Sequence, residues 1–257
     1  MSLRVFPIKN STHATRYRVF PAAACGWPSP ALDYEEPPLS LDELVGVDAT
    51  ATCLLWVTDD ALAPSGICRD DVLVADMAIQ PQPGDIVLAL LDGEHYLRRL
   101  TARNQAPALI AELPGISPLM IGDEQTVEIT AVVTWNLHRQ PGAVTSTTSA
   151  PPKRLDQIVK MGECSTFLVR ARGESMLGAG IRPGDVLVVD RDCEPRLGHV
   201  VVAIVGGEFT VKRLGTDHGQ LTLIAENPSF SAIPLQANDD PELWGVVTWC
   251  LQKRIQR

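Results

Sequence analysis

The hydrophobic positions in the second half of the chain fall in short, β-branched runs closed off by Gly, Pro, Asp or Asn. DVLVVD (185–190), HVVVAIV (199–205), EFTVKRL (208–214), QLTLIAE (220–226) and WGVVTWC (244–250) are of this kind. Such runs predict strands. The PGD of Pro183 to Asp185 and the Gly206-Gly207 pair predict turns between them. Only LSLDELV (39–45) and RLDQIVK (154–160) carry a helical pattern, and both are short. The expected class is all-β, or β-rich with little helix.

The pattern occurs twice. VVTW at Val132 to Trp135 returns at Val246 to Trp249, a shift of 246 − 132 = 114. The same shift carries Gly66-Ile67 onto Gly180-Ile181, Asp71 to Val74 onto Asp185 to Val188, Gly93-Glu94 onto Gly207-Glu208, and Ala111-Glu112 onto Ala225-Glu226. One offset held without a gap from Cys53/Phe167 to Leu137/Leu251 is a tandem duplication of a domain-sized unit. The expected organisation is an N-terminal arm (1–39), a first copy (40–138), a Pro/Ser/Thr-rich linker (139–159) and a second copy (160–257).

Composition narrows the function. Apolar residues make up 45% and charged residues 21%, as in ordinary globular proteins. The formal net charge of -9, with no local Lys/Arg run, gives no help against a phosphate backbone, so direct nucleic-acid binding is not expected. No apolar stretch is long enough for a membrane helix and no secretory leader is seen, so the expected location is the cytoplasm. The six cysteines lack CxxC pairs and His at ligand spacing, so neither zinc nor another metal or cofactor is expected. The five tryptophans read as core or interface packing.

The chemistry lies in the second copy. RARGESMLGAGIRPGDVLVVD (170–190) places Ser175 just before a Gly-rich turn. A serine hydroxyl needs a base, and His199 and His218 sit at no convincing triad spacing. Lys212 follows inside a strand, 212 − 175 = 37 residues on, with Phe209, Val211 and Leu214 near it in sequence. Burial disfavours a charged lysine, and a neutral lysine is a base. The backbone N–H groups of Ser175 and Met176 are the candidate oxyanion donors.

GESM followed by GDVLVVD and GEFTVKRL resembles the catalytic domain of the UmuD/LexA family of self-cleaving peptidases. The resemblance implies Ser175 as nucleophile, Lys212 as general base, and two tandem LexA/UmuD-like domains forming a pseudo-dimer. The first copy departs from the pattern: the offset puts Ala61 at the serine position, Arg98 at the lysine position, and Asp59-Asp60 in place of Gly173-Glu174. Alanine has no nucleophile and arginine no base, so this copy is expected to be catalytically dead, with Arg98 a surface strand residue. In the arm, CGWPSPALDYEE (25–36) resembles the cleavage region of the UmuD branch, which implies a scissile Cys25–Gly26 bond. Pro28 and Pro30 keep that segment extended. One copy thus keeps the substrate arm and the other the active site.

The resemblance further implies an SOS-type accessory subunit, activated by a recombinase filament on single-stranded DNA and serving a UmuC-like Y-family translesion polymerase. It leaves open a homodimer or a heterodimer with an ordinary UmuD. Three other readings stand beside it: a non-cleaving antagonist or binding module, a protease acting on other proteins, and a LexA-like transcriptional regulator.

Overall fold

The computed structural model describes residues 4–7, 17–21, 36–47, 50–103, 106–121, 127–143, 154–161, 165–235 and 242–255. In chain order the arm supplies strands β1 (Arg4–Pro7), β2 (Tyr17–Pro21) and β3 (Glu36–Leu39), followed by helix α1 (Leu41–Val45). The first copy supplies β4 (Thr52–Trp56), β5 (Val72–Asp76), β6 (Ile86–Leu91), β7 (Glu94–Arg103), β8 (Ala106–Ile110), β9 (Leu119–Met120) and β10 (Val127–Arg139). Helix α2 (Leu155–Ile158) leads into the second copy: β11 (Thr166–Arg170), β12 (Val186–Asp190), β13 (Val200–Val205), β14 (Glu208–Asp217), β15 (Gln220–Ile224), β16 (Ile233–Pro234) and β17 (Glu242–Lys253). The chain is β-rich, as its hydrophobic pattern predicts.

The offset of 114 reproduces the bounds of six consecutive strands, β4 to β9, in β11 to β16. The registers repeat as well. Thr52 opposite Asp76 becomes Thr166 opposite Asp190, and Ile86 opposite Arg99 becomes Val200 opposite Arg213. The repeated VVTW has a structural cause. β10 is bulged against β5 between Val133 and Trp135, and β17 is bulged against β12 between Val247 and Trp249. A bulge leaves one residue outside the ladder. In both copies that residue is a buried threonine whose hydroxyl donates to the partner strand, Thr134 to Val74 O at 3.1 Å and Thr248 to Val188 O at 3.2 Å.

Two compact units result. The first holds β1, residues 45–138 and the end of the chain from Gln252. The second holds β2, β3, the start of α1, and residues 139–251. Each unit takes its body from one copy and smaller pieces from elsewhere in the chain. Within the first, alternate residues of β6 point into two different clusters: Ile86 and Leu88 join Leu55, Leu73 and Val133, while Val87 and Ala89 join Leu109 and Val132. β13 does the same in the second unit, with Val200 and Val202 on one side and Val201 and Ala203 on the other. Both faces of these strands are covered, which is why they read as continuous apolar runs rather than as alternations.

α1 is only five residues long and is fixed by its start. The Ser40 hydroxyl accepts from the Glu43 N–H at 3.0 Å, and the Glu43 carboxylate reaches back to the Ser40 N–H at 3.4 Å. This reciprocal cap satisfies two otherwise orphaned donors. No helix among the described residues is long and apolar enough to cross a membrane.

Candidate active site

Ser175 sits five residues past the end of β11, where the chain turns back toward β12. A 3-10 turn over Leu177–Ala179 follows it. Gly180 ends that turn at φ 75°, a left-handed conformation that suits glycine. Met176, 3% exposed, plugs into the core beside Ile181, Leu187 and Val202, and Ile181 N–H donates to Met176 O at 3.1 Å. The turn is pinned from outside by the segment after β15. Gly178 N–H donates to Glu226 O at 2.6 Å, and Asn227 Nδ2 donates to Glu174 O at 2.9 Å. A Cβ on Gly178 would stand 2.5 Å from that Glu226 oxygen, so only glycine allows the approach. Glu226 is itself held by an ion pair with Arg213 on β14, whose Nη1 donates to Gly198 O at 2.7 Å.

Lys212 comes from β14, opposite Val201 of β13, and is 4% exposed. Its Nζ lies 2.9 Å from Ser175 Oγ, 2.9 Å from Thr210 Oγ1 and 3.1 Å from Val211 O. The predicted serine and lysine are therefore brought together from 37 residues apart. Phe209 and Val211 pack on the cluster that holds Met176, and Leu214 belongs to the cluster on the other face. Among the described residues, nothing accepts a hydrogen bond from the N–H of Ser175 or of Met176. His199 accepts from the Arg196 N–H at 3.2 Å, and His218 is 98% exposed beside Asp217. Both histidines are engaged away from the pair. Cys25 and Gly26 lie outside the described residues.

Thr210, Gly178, Glu226, Asn227 and Arg213 were not singled out by the sequence. Thr210 was within reach of it, because residues two apart share a strand face. The Arg213–Glu226 pair also left a trace: its repeat mates Arg99 and Glu112 form the same ion pair at 2.6 Å. Thr210→Val removes one of the groups that orient Nζ. A lost hydrogen bond of this kind is worth about 0.5–1.5 kcal/mol, so any reaction run by the pair should slow by about three- to tenfold. A rate equal to wild type would deny Thr210 an orienting role.

The same place in the first copy is built differently. Ala61 is 4% exposed and its N–H is taken by the Asp59 carboxylate at 2.9 Å. The donor matching the Ser175 N–H is thus already occupied by the chain itself. Arg98 is not the surface residue the sequence suggested: it is 6% exposed. The reason is the register, which gives it the inward position that Lys212 has in the second copy. Its Nη1 donates to Leu97 O at 2.7 Å, the counterpart of the Lys212–Val211 contact, and it lies over the Tyr96 ring at 5.4 Å. Among the described residues its Nε has no hydrogen-bond partner. Burial pulls the guanidinium below its usual pKa, with Asp59 and Tyr96 pulling the other way.

A family model described as Peptidase S24-like matches residues 18–134 and again residues 144–248. The chain belongs to that family. The two matches fall on the two copies of the duplication. LexA repressors are similar to part of it: that of Bordetella parapertussis is 48% identical over 80 residues, 31% of this chain and 37% of the relative. That of Cupriavidus taiwanensis is 45% identical over 80 residues, again 31% of this chain and 37% of the relative. That of Paracidovorax citrulli is 41% identical over 89 residues, 35% of this chain and 40% of the relative. The chain spans well under half the length of these curated relatives. Of the two S24-like copies, the second brings a serine and a lysine together and the first has neither at the matching positions.

Proposed function

We propose that the second copy is a serine–lysine endopeptidase that cuts the chain's own arm at Cys25–Gly26. The 2.9 Å approach of Lys212 Nζ to Ser175 Oγ carries this reading. A neutral amine has two N–H groups and one lone pair. Thr210 Oγ1 and Val211 O accept the two N–H groups, and the lone pair then faces the serine hydroxyl. Burial of the lysine favours that neutral form.

Ser175 Oγ attacks the Cys25 carbonyl while Lys212 takes its proton. The N–H groups of Ser175 and Met176 hold the oxyanion. Collapse breaks the Cys25–Gly26 bond, and Lys212 returns the proton to the Gly26 amine. A water, deprotonated in turn by Lys212, then attacks the serine ester; the ester C–O bond breaks, the Cys25 carboxylate is freed, and Lys212 returns the proton to Ser175 Oγ.

Strand register supports delivery of the arm to this copy. β2 runs parallel to β11, with Pro21 opposite Arg170. Along the sequence Cys25 is 25 − 21 = 4 residues past Pro21, and Ser175 is 175 − 170 = 5 residues past Arg170. Tethering makes the reaction unimolecular and raises the effective concentration of the substrate. In this reading residues 1–39 are the arm, 40–138 a presenting copy, 139–159 a linker and 160–257 the peptidase domain.

The trimmed protein would serve as an SOS accessory subunit in the cytoplasm, activated by a recombinase filament on single-stranded DNA and partnered by a UmuC-like polymerase. The LexA relatives favour a second reading, a self-cleaving transcriptional regulator. Binding of the trimmed chain to a polymerase, against binding of the uncut chain to operator DNA through a partner, separates the two. The cleavage itself is tested by intact-mass spectrometry at neutral and alkaline pH. The expected product begins at Gly26, forms faster at high pH as Lys212 loses its proton, and is absent in Ser175→Ala. Cleavage that persists in Ser175→Ala would remove the serine from the mechanism.

A further inference from the structure

The outer edges of β4 and β11 are repeat mates, and each carries a strand from the arm. β1 lies antiparallel on β4, pairing Arg4 to Pro7 with Trp56 to Cys53. β2 lies parallel on β11, pairing Val19 to Pro21 with Leu168 to Arg170. β2 is also paired on its other side, with Tyr17 opposite Leu39 and Val19 opposite Glu36 of β3. The Cys25–Gly26 bond falls in the stretch between β2 and β3. Both strands that hold the arm therefore lie on the same side of the cut.

We infer that self-cleavage does not release the arm: fragment 1–25 stays docked as two added strands, on β4 through β1 and on β11 and β3 through β2. This rests on the proposed cut at Cys25–Gly26. Hydrolysis adds one water across that bond, leaving a carboxylate on Cys25 and an amine on Gly26, and breaks none of the three pairings. An isolated short strand is held weakly, but β1 and β2 belong to one fragment. The second docking event is intramolecular once the first has formed, and the two together hold far longer than either alone. Loss of the arm would also uncover the unpaired N–H and C=O groups of the β4 and β11 edges, which sheets keep covered. The nicked protein is thus a two-chain complex. The peptide that fits these edges is an extended strand bound mainly through its backbone, and any partner that needs them has to displace the arm rather than wait for the cut.

The test is native mass spectrometry and gel filtration of the cleaved chain, with a denaturing mass spectrum of the same sample. The denaturing spectrum reports whether the bond was cut. The native one reports whether the arm stayed. The expected native species has the mass of the uncut chain plus one water and splits into 1–25 and 26–257 only in denaturant. A native species of 26–257 alone, with the arm in the small-peptide fraction, overturns the inference while leaving the cleavage reading intact. If the chain does not cut itself, Ser175→Ala carrying a specific protease sequence inserted after Gly26 is nicked by that protease, and the same two outcomes decide. Val19→Pro removes a backbone donor from a residue paired on both sides. It should shorten arm retention by several-fold to about tenfold, the worth of one ladder hydrogen bond. Unchanged retention in that variant would mean that β2 does not hold the fragment.

Discussion

Lys212→Arg is expected to slow self-cleavage by roughly 10^4-fold or more, the scale seen when one member of a nucleophile–base unit is removed. Much of the side-chain reach is kept, so the change tests base chemistry rather than packing. A guanidinium has five donors and no acceptor. It cannot take the Ser175 proton at any pH at which the fold survives. The first copy already shows how arginine fits this position: Arg98 is buried, donates to the carbonyl of the preceding residue and stacks on Tyr96. The variant should therefore fold. The measurement is the rate of appearance of the Gly26 fragment across pH, beside a thermal melt. Wild type should accelerate as pH rises. The variant should be flat and near zero, with a melting temperature within a few degrees of wild type. Cleavage within tenfold of wild type would show that Lys212 is not the base.

Gly178→Ala should reduce cleavage by about 100-fold while costing about 1–3 kcal/mol of stability. The added Cβ would meet Glu226 O at 2.5 Å, a backbone atom that cannot swing aside as a flexible side chain could. The turn has to move away from the segment after β15, and the Gly178–Glu226 hydrogen bond lengthens with it. Ser175 lies three residues earlier in the same turn. A displacement of about 1 Å at a nucleophile costs on the order of 10^2 in rate, whereas the packing penalty is that of a modest overfill. The two effects separate when cleavage is timed at a temperature well below the melt. A variant that is destabilised yet cuts at the wild-type rate would mean that the Glu226 contact supports the fold and not the serine.

Residues 59 to 61 explain why restoring the pair in the first copy is a larger task than two substitutions. Ala61→Ser with Arg98→Lys returns the side chains. The Asp59 carboxylate would still hold the N–H that an oxyanion needs, and it would place a negative charge where negative charge has to develop.

The sequence by itself determined the duplication, the strands and the pairing of chemistry. These are local matters or matters of spacing. β-Branched runs between turn residues mark strands, one offset of 114 recurs from motif to motif, and a serine before a Gly-rich turn with a lysine in a later strand forms a recognisable set. Only the tertiary structure decided what those residues touch. Arg98 looked like a surface residue because its charge suggested solvent, and the β6–β7 register turned it inward. Gly178 and Asn227 became part of the site because the serine turn meets, across the fold, a segment about 50 residues away in sequence. Nothing in the arm's residues announced that β1 would lie on β4 and β2 on β11. Strand pairing is made by backbone groups that every residue carries, so its partner is chosen by which edge the fold leaves open and not by the identity of the side chains.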